Sequence, residues 1–441
     1  MSILPQASLF SWQEVEVAGE ISRLTRLLDV LPDQQLLAAL EQERAGKRND
    51  YPLAALWRAL LAAIVFGHPS LASLGRELGR NGQLRDRCGF DPLRGDKAVP
   101  PDYVWTRFIA KLVRHQALID RMFERLVERI SELLPDFGRD LAIDGKAVSA
   151  WSKLDPEGSE GFKNYEGEDE NGDPLHKIQK WFGYKLHLIV DANYELPVAF
   201  ELTGAKDGES PRLMPLMEKL EREHPELHAR VETLAADRGY DDGSDKAALY
   251  DDHGIVPLID TRDLHRGRMQ PLDEHHHDTI YYGPTGDVCC KVRPFEAEPS
   301  RAFAPMQFMG FESQRGTLKF RCPAAAFGLE CHNREACHCV PDVRDGEYGR
   351  VVRVNLERDR RIFLPLHRHS QGFVKGYKKR TAIERVNSRI DQVYGFERHF
   401  IRSKKKMRLR LGLGLLVMLG TAVAWVQMKK PQNVCSLVKA A

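Results

Sequence analysis

Apolar positions recur with helical spacing through about the first 135 residues. Leu53, Leu56, Leu60, Leu61 and Ile64 form one stripe, and Phe108, Ile109, Leu112 and Val113 form a second. Steps of three and four residues put such positions on one helical face. Ala98–Pro101 followed by Asp102 marks the start of the second helix. Between the stripes, HPSLASLGRELGRNGQLRDRCGF carries capping Ser and turn-forming Gly, the texture of short helices. Near Arg139 the period changes. LAIDGKAV (141–148) reads as a short, almost wholly apolar strand ending in an acid and a Gly. After an acidic, Gly-rich stretch, GYKLHLIVDANYELPVAFELTG (183–204) divides into two alternating runs, Tyr184–Val190 and Pro197–Leu202. Asp191, Ala192 and Asn193 separate them, so a β-hairpin is predicted. Ser210, with Pro211 at the first helical position, predicts a helix through Leu220. VETLAADRGYDD (231–242) is a further strand running into an acid, Lys246–Tyr250 a helix, and GIVPLID (254–260) a fifth strand.

Three strands, helix, strand, helix, strand is the order of a ribonuclease-H-like core. The predicted fold class is therefore α/β: a mixed sheet with helices on both faces, a helical N-terminal domain and a β-rich insertion. The expected divisions are 1–137 (helical, with helix-turn-helix character and a DNA-binding role), 138–262 (first part of the core), 263–364 (insertion) and 365–430 (helical return to the core). A purely structural role fits the first of these equally well. Helical periodicity resumes at Gly372–Tyr394, and Leu411–Val426 is a final apolar run of 16 residues with three Gly. Crossing a bilayer takes roughly 20 residues, so a buried terminal helix is predicted and no membrane association.

The formal charge of +2 says nothing about partners, but its distribution does. Lys375 to Arg410 holds 13 Lys or Arg against three acids, whereas Asp155 to Asp173 holds eight acids against Lys163. Separation of this kind suits a face that meets a polyanion. The acidic stretch is expected to be a solvated loop. The first residues, MSILPQASLFSWQEVE, lack a charged segment before a long apolar one, so no signal peptide and a cytoplasmic setting are expected. Six of the eight cysteines lie between Cys289 and Cys339. Cys322, Cys331, Cys337 and Cys339, with His332 and His338 interleaved, would suffice for a structural Zn²⁺; free thiols are the alternative. Cys289, Cys290 and His275–His277 are further candidate ligands.

Hydrolysis and transfer of phosphodiesters need divalent metal at the attacking and leaving oxygens, and hard Mg²⁺ prefers carboxylates. Separate rigid elements must therefore bring carboxylates together. Asp144 and Asp237, each at the end of a predicted strand beside a Gly, and Glu384, on a helix beginning near Thr381, are candidates. Each acid alone has a structural reading as a turn, a cap or a surface ion pair. His187, in the hairpin, reads as a satisfied sheet histidine.

IDGK around Asp144, ADRGYD around Asp237 and KGYKKRTAIERVNSRI around Glu384 resemble the three acidic motifs of bacterial insertion-sequence DDE transposases. GYKLHLIVDANYELPVAFELTGAKDGES is similar to the hairpin of that family, and the resemblance spans about residues 50 to 425. It implies that Asp144, Asp237 and Glu384 hold two Mg²⁺ or Mn²⁺ ions for DNA cleavage and strand transfer at terminal inverted repeats. A homodimeric synaptic complex on double-stranded DNA is implied with it. Tyr377 and Arg380 fit the family signature around the Glu. Its final Lys is replaced by Asp391, which puts one expected phosphate contact in doubt. Lys378, Lys379, Arg380, Arg385, Arg389, Lys404, Lys405 and Lys406 are the further candidate DNA contacts. A nuclease on the same fold without strand transfer, and a catalytically silent DNA-binding relative, are the alternatives.

Overall fold

The computed structural model describes residues 21–44, 50–91, 94, 97–168, 174–262, 264, 266–272, 279–291, 303–328 and 348–435, with side chains 164–177 left aside. The first seven described helices are α1 (Ile21–Val30), α2 (Gln34–Arg44), α3 (Leu53–Val65), α4 (Leu71–Arg80), α5 (Gly82–Cys88), α6 (Asp102–Arg114) and α7 (Gln116–Leu133). α3 is buried almost all round, as its near-continuous apolar sequence requires. Ser70 and Asn81 cap α4 and α5 by accepting from Ser73 N and Leu84 N.

The sheet comprises β1 (Asp140–Ser149), β2 (Ser159–Glu168), β3 (Pro174–Asp191), β4 (Leu196–Gly204), β5 (Thr233–Ala236) and β6 (Val256–Ile259). β3 pairs antiparallel with β1 and β4, while β1–β5 and β5–β6 are parallel. The order β4-β3-β1-β5-β6 is the ribonuclease-H-like arrangement. Helices α8 (Leu213–Glu223) and α9 (Pro225–His228) connect β4 to β5, and α10 (Gly243–Asp251) connects β5 to β6.

Three local expectations are corrected. β1 continues through Asp144 to Ser149, so Asp144 lies within the strand rather than at its end. The acidic stretch is not simply a loop. β2 pairs with β3 from Ser159↔Gly183 to Glu168↔Pro174, and this ladder satisfies the backbone despite its polar sequence. At the junction Gly183 has φ +155°, and a Cβ there would lie 2.3 Å from Val148 O. Only glycine fits that approach. Finally, Ser210–Arg212 is a 3₁₀ turn before α8, and Ser210 Oγ bonds Asp245 Oδ2 at 2.9 Å instead of capping.

The insertion places β7 (Gln270–Pro271), β8 (Ile280–Tyr282), β9 (Val288–Lys291) and β10 (Phe303–Pro305) in one small sheet. β11 (Gln307–Glu312), β12 (Thr317–Arg321) and β13 (Val351–Asn355) form another, with α11 (Pro323–Phe327) after β12. Both share a core that includes Leu272, Ile280, Phe320, Val352 and Phe363. Cys322 immediately precedes α11, and Cys289 and Cys290 lie in β9. Cys331, Cys337, Cys339, His275–His277, His332 and His338 fall outside the described residues, and the zinc expectation with them.

The chain returns through α12 (Gln371–Tyr377), a 3₁₀ turn (Lys378–Arg380), α13 (Thr381–Ser388) and a π-helical turn (Arg389–Val393). It continues into α14 (Lys404–Gln427), the one helix among the described residues long and apolar enough to span a membrane, and a short 3₁₀ turn (Pro431–Asn433) follows. Every residue from Leu411 to Gly420 is buried within the protein. Leu416 and Val417 join the same hydrophobic core as Leu24, Trp57, Leu126 and Leu188. α14 is therefore a core helix linking the N-terminal helices to the sheet.

Candidate active site

The parallel register of β1 and β5 aligns Asp140 with Thr233, Leu141 with Leu234 and Ala142 with Ala235. Carried two residues further, it sets Asp144 beside Asp237. Adjacent strands stand about 4.8 Å apart, so the two acids share one edge of the sheet. Each carboxylate is steadied by a backbone N–H: Gly145 N donates to Asp144 Oδ1 at 2.9 Å, and Gly239 N to Asp237 Oδ1 at 2.7 Å.

A third carboxylate, absent from the sequence-based set, stands between them. Glu209, in the turn before α8, has Oε1 2.8 Å from where a Gly145 Cβ would lie. Its Oε2 is 2.5 Å from the equivalent point at Gly239, which is itself 2.7 Å from Asp237 Oδ1. Lys185 Nζ meets Glu209 Oε1 at 3.3 Å. The crowding has an electrostatic consequence. Burial, then the charges of Asp237 and Glu209, push the Asp144 carboxyl up to about 6. Tyr240 is fully buried and its hydroxyl has no hydrogen-bond partner. Burial, Glu209, Asp144 and Asp237 raise that phenol well above its ordinary range.

The glycines leave space that the carboxylates fill. Gly239→Ala is expected to displace Glu209 and Asp237 and lower metal-dependent cleavage about 10²-fold, while changing the melting temperature little. A cleavage assay beside a thermal melt checks this; an Ala variant with parental activity would remove the close-packed geometry from the argument.

Glu384 is placed differently. It sits in the first turn of α13, half-exposed, with Oε1 2.8 Å from Arg380 Nη2. It lines an open cleft of about 350 Å³ with Asn387, Ser388, Asp391, Gln392 and Glu397. Arg380 links this side to the buried acids. Burial opposes its charge, but Glu384, Tyr377 and Asp144 outweigh that and raise its pKa. Tyr377 is half-buried, stacks on Phe373 at 5.8 Å and lies under the Arg380 guanidinium. Its phenol is raised by burial, then Asp260, with Asp237 contributing.

The departure at Asp391 now has a partner. Lys146 Nζ lies 2.5 Å from Asp391 Oδ2. Lys146 is two residues after Asp144, on the same face of β1. The pair ties the strand of Asp144 to the π-helical turn that follows the helix of Glu384.

Several candidate DNA contacts are engaged within the chain. Arg389 is buried, bonding Glu195 O at 2.6 Å and Glu195 Oε2 at 2.9 Å. Arg385 also pairs with Glu195, and Lys379 with Asp140, each at 2.5 Å. Lys378 lies in the 3₁₀ turn. Lys404, Lys405 and Lys406 form the first turn of α14, where Lys404 Nζ approaches Glu157 at 3.9 Å and the other two are exposed. His187 is buried, with Nε2 2.9 Å from Thr203 Oγ1, and burial lowers its pKa to about 4. It is a sheet histidine as expected, but satisfied through Nε2 alone, since its buried Nδ1 has no hydrogen-bond partner.

The donor set around Asp144 suits a hard divalent cation: carboxylate oxygens from separate elements, with Asp237 and Glu209 close enough to raise the Asp144 pKa, beside an unpartnered buried phenol. Among the described residues, the one group whose ligand atoms all lie within 4.8 Å of one another is Glu221, His228 and His253, near α9. There His253 Nδ1 already faces Glu221 Oε2 at 3.8 Å.

The fold is a ribonuclease-H-like sheet with Asp144 on β1 and Asp237 directly after the parallel neighbour β5. The chain belongs to the transposase DDE domain family, whose profile matches residues 135–419. DDE transposases generally use divalent metals. No curated protein matches the chain. Among solved structures, a piggyBac transposase synaptic complex with hairpin DNA is similar at 10% identity, over 96% of this chain and 81% of that one. The TM-score is 0.38, too low to bear on the fold or the chemistry.

Proposed function

We propose that the protein binds the terminal repeats of its own element and catalyses divalent-metal-dependent strand cleavage and strand transfer. The observation that supports this reading is the convergence of Asp144 and Asp237 at neighbouring parallel strands, where the charge of Asp237 helps to raise the Asp144 pKa. These two carboxylates would hold the metal, with Glu384 joining from α13. When bound, the metal supplies an activated oxygen nucleophile and charge stabilisation at the leaving oxygen. The chain's own residues do the positioning. Gly145 N–H and Gly239 N–H orient the Asp carboxylates, and the Lys146–Asp391 pair sets β1 against the π-helical turn after α13. Arg380 and Tyr377, at the edge of the acids, would take a DNA phosphate, with Lys378, Lys405 and Lys406 extending the cationic track. Two copies would act together on two ends.

The test is incubation of the protein with labelled element ends and target plasmid in Mg²⁺ or Mn²⁺. Cleavage followed by joining of pre-cut ends is the expected result. Cleavage without joining would replace transposition by a nuclease activity. No metal-dependent cleavage of any end would leave a DNA-binding relative. Arg380→Ala is expected to weaken DNA binding by about 10-fold and to lower the salt slope by about one unit, measured by fluorescence anisotropy across a salt series.

A further inference from the structure

We infer that Glu209 is a metal ligand of the resting active site, completing with Asp144 and Asp237 the carboxylate set that receives the divalent cation. The inference rests on the reading of Asp144 and Asp237 given above and extends it to a residue outside the three acidic motifs.

Three observations carry it. First, the Glu209 carboxylate spans the two glycines that follow the Asp pair, one oxygen over Gly145 and the other over Gly239. A carboxylate directed elsewhere would not occupy both positions. Second, Tyr240 is fully buried, with an unpartnered hydroxyl in the field of Glu209, Asp144 and Asp237 together. A buried polar atom without a partner is costly, and an aquated cation among the acids would give it one. Third, Glu384 is half-exposed and bonded to Arg380. In this conformation the acid enclosed with the Asp pair is Glu209.

Its backbone is built for the task. The 3₁₀ turn Ser210–Arg212 is anchored by the bond from Ser210 Oγ to Asp245 on α10. The Glu209 position is thereby coupled to the helix that follows Asp237. The competing explanation is that Glu209 serves only to neutralise Lys185, 3.3 Å away. The two accounts differ in what happens to metal affinity.

The experiment is isothermal titration of Mn²⁺ into the full-length, DNA-free protein and its variants, with melting in EDTA to establish that each is folded. Glu209→Gln is expected to weaken Mn²⁺ binding about 10- to 100-fold, alongside Asp144→Asn and Asp237→Asn. Glu209→Asp should retain part of the affinity, and Lys185→Met should tighten binding. Lys185→Met/Glu209→Gln must bind more weakly than Lys185→Met alone. If Glu209→Gln binds as the parent does while the Asp variants lose Mn²⁺, Glu209 is only the counter-ion of Lys185 and the inference is overturned. If the Asp variants also bind as the parent does, the underlying metal site is wrong as well.

Discussion

Asp144→Asn is expected to slow strand cleavage about 10³-fold or more and yet to melt higher than the parent in EDTA at pH 7.5. Catalysis is lost because the amide cannot replace a carboxylate as a metal ligand. The rise in stability follows from the apo protein's own electrostatics. Burial, Asp237 and Glu209 raise the Asp144 carboxyl to about 6, from 3.8 in an unfolded chain. An acid whose folded pKa is raised binds more protons in the native than in the unfolded state across that interval. Stability therefore falls as pH rises from about 4 to about 6, and the penalty persists above it. A shift of that size corresponds to roughly 2–3 kcal/mol, which the neutral Asn avoids. The gap between variant and parent should be present at pH 7.5 and close below about pH 4. Mg²⁺ should raise the parent's melting temperature and not the variant's, because ligand binds only the folded carboxylate site. Calorimetry at the two pH values, with and without Mg²⁺, checks each part. An Asn variant that melts below the parent at pH 7.5 would show that the acids are not in conflict.

The second large effect belongs to stability rather than chemistry. Asp241 and Lys246 pair at 2.5 Å with both side chains fully buried. Lys246 Nζ also donates to Arg361 O at 2.8 Å. Asp241 Oδ2 accepts from Arg262 N at 2.7 Å and Arg361 Nη1 at 2.9 Å. Beside them Arg368 donates to Ile362 O, Arg361 O and Ile259 O. Burial opposes charge on Asp241, but Lys246 overcomes this and holds its pKa below the usual range. Burial, then Arg368, draw Lys246 down to about 8, still cationic at neutral pH. The network joins the strand-to-helix turn after Asp237 to the segment on which the chain leaves the insertion. Asp241→Ala removes the anion and leaves buried cations unpaired, at an expected cost of about 3–5 kcal/mol. Denaturant melts measure it. A loss below about 1 kcal/mol would mean that water or a rearranged side chain satisfies Lys246.

Much of the core was legible because its elements are periodic. The hairpin about Asp191 shows why. Asp191 Oδ1 accepts from Asn193 N at 2.9 Å and Tyr194 N at 2.6 Å, and Oδ2 from Gly138 N at 2.8 Å. Such a turn is local chemistry, readable from Asp-Ala-Asn between two alternating runs. α14 was readable as an apolar helix but not in its length: at 24 residues it is long enough to cross a bilayer, and its burial within the protein is what makes it a core helix. β2 was not, because its polar, Gly-rich sequence has no strand period. It exists through its partner β3, and pairing is a property of two segments.

The three acids of the motifs divide along the same line. Sequence alone determined the order of the core elements other than β2, the Asp within IDG and within ADRG, and the helix carrying Glu384. What it could not give was neighbourhood. Asp144 faces Asp237 because β1 and β5 run parallel in one register. Glu209 joins them because the turn before α8 falls across two glycines. Lys146 answers Asp391 although 245 positions separate them. Arg389, one of the basic run, is withdrawn to Glu195 and buried. Propensity and motif act over a few residues, whereas the charge felt by a carboxylate depends on what the folded chain brings within a few ångströms. That distance is set only by tertiary packing.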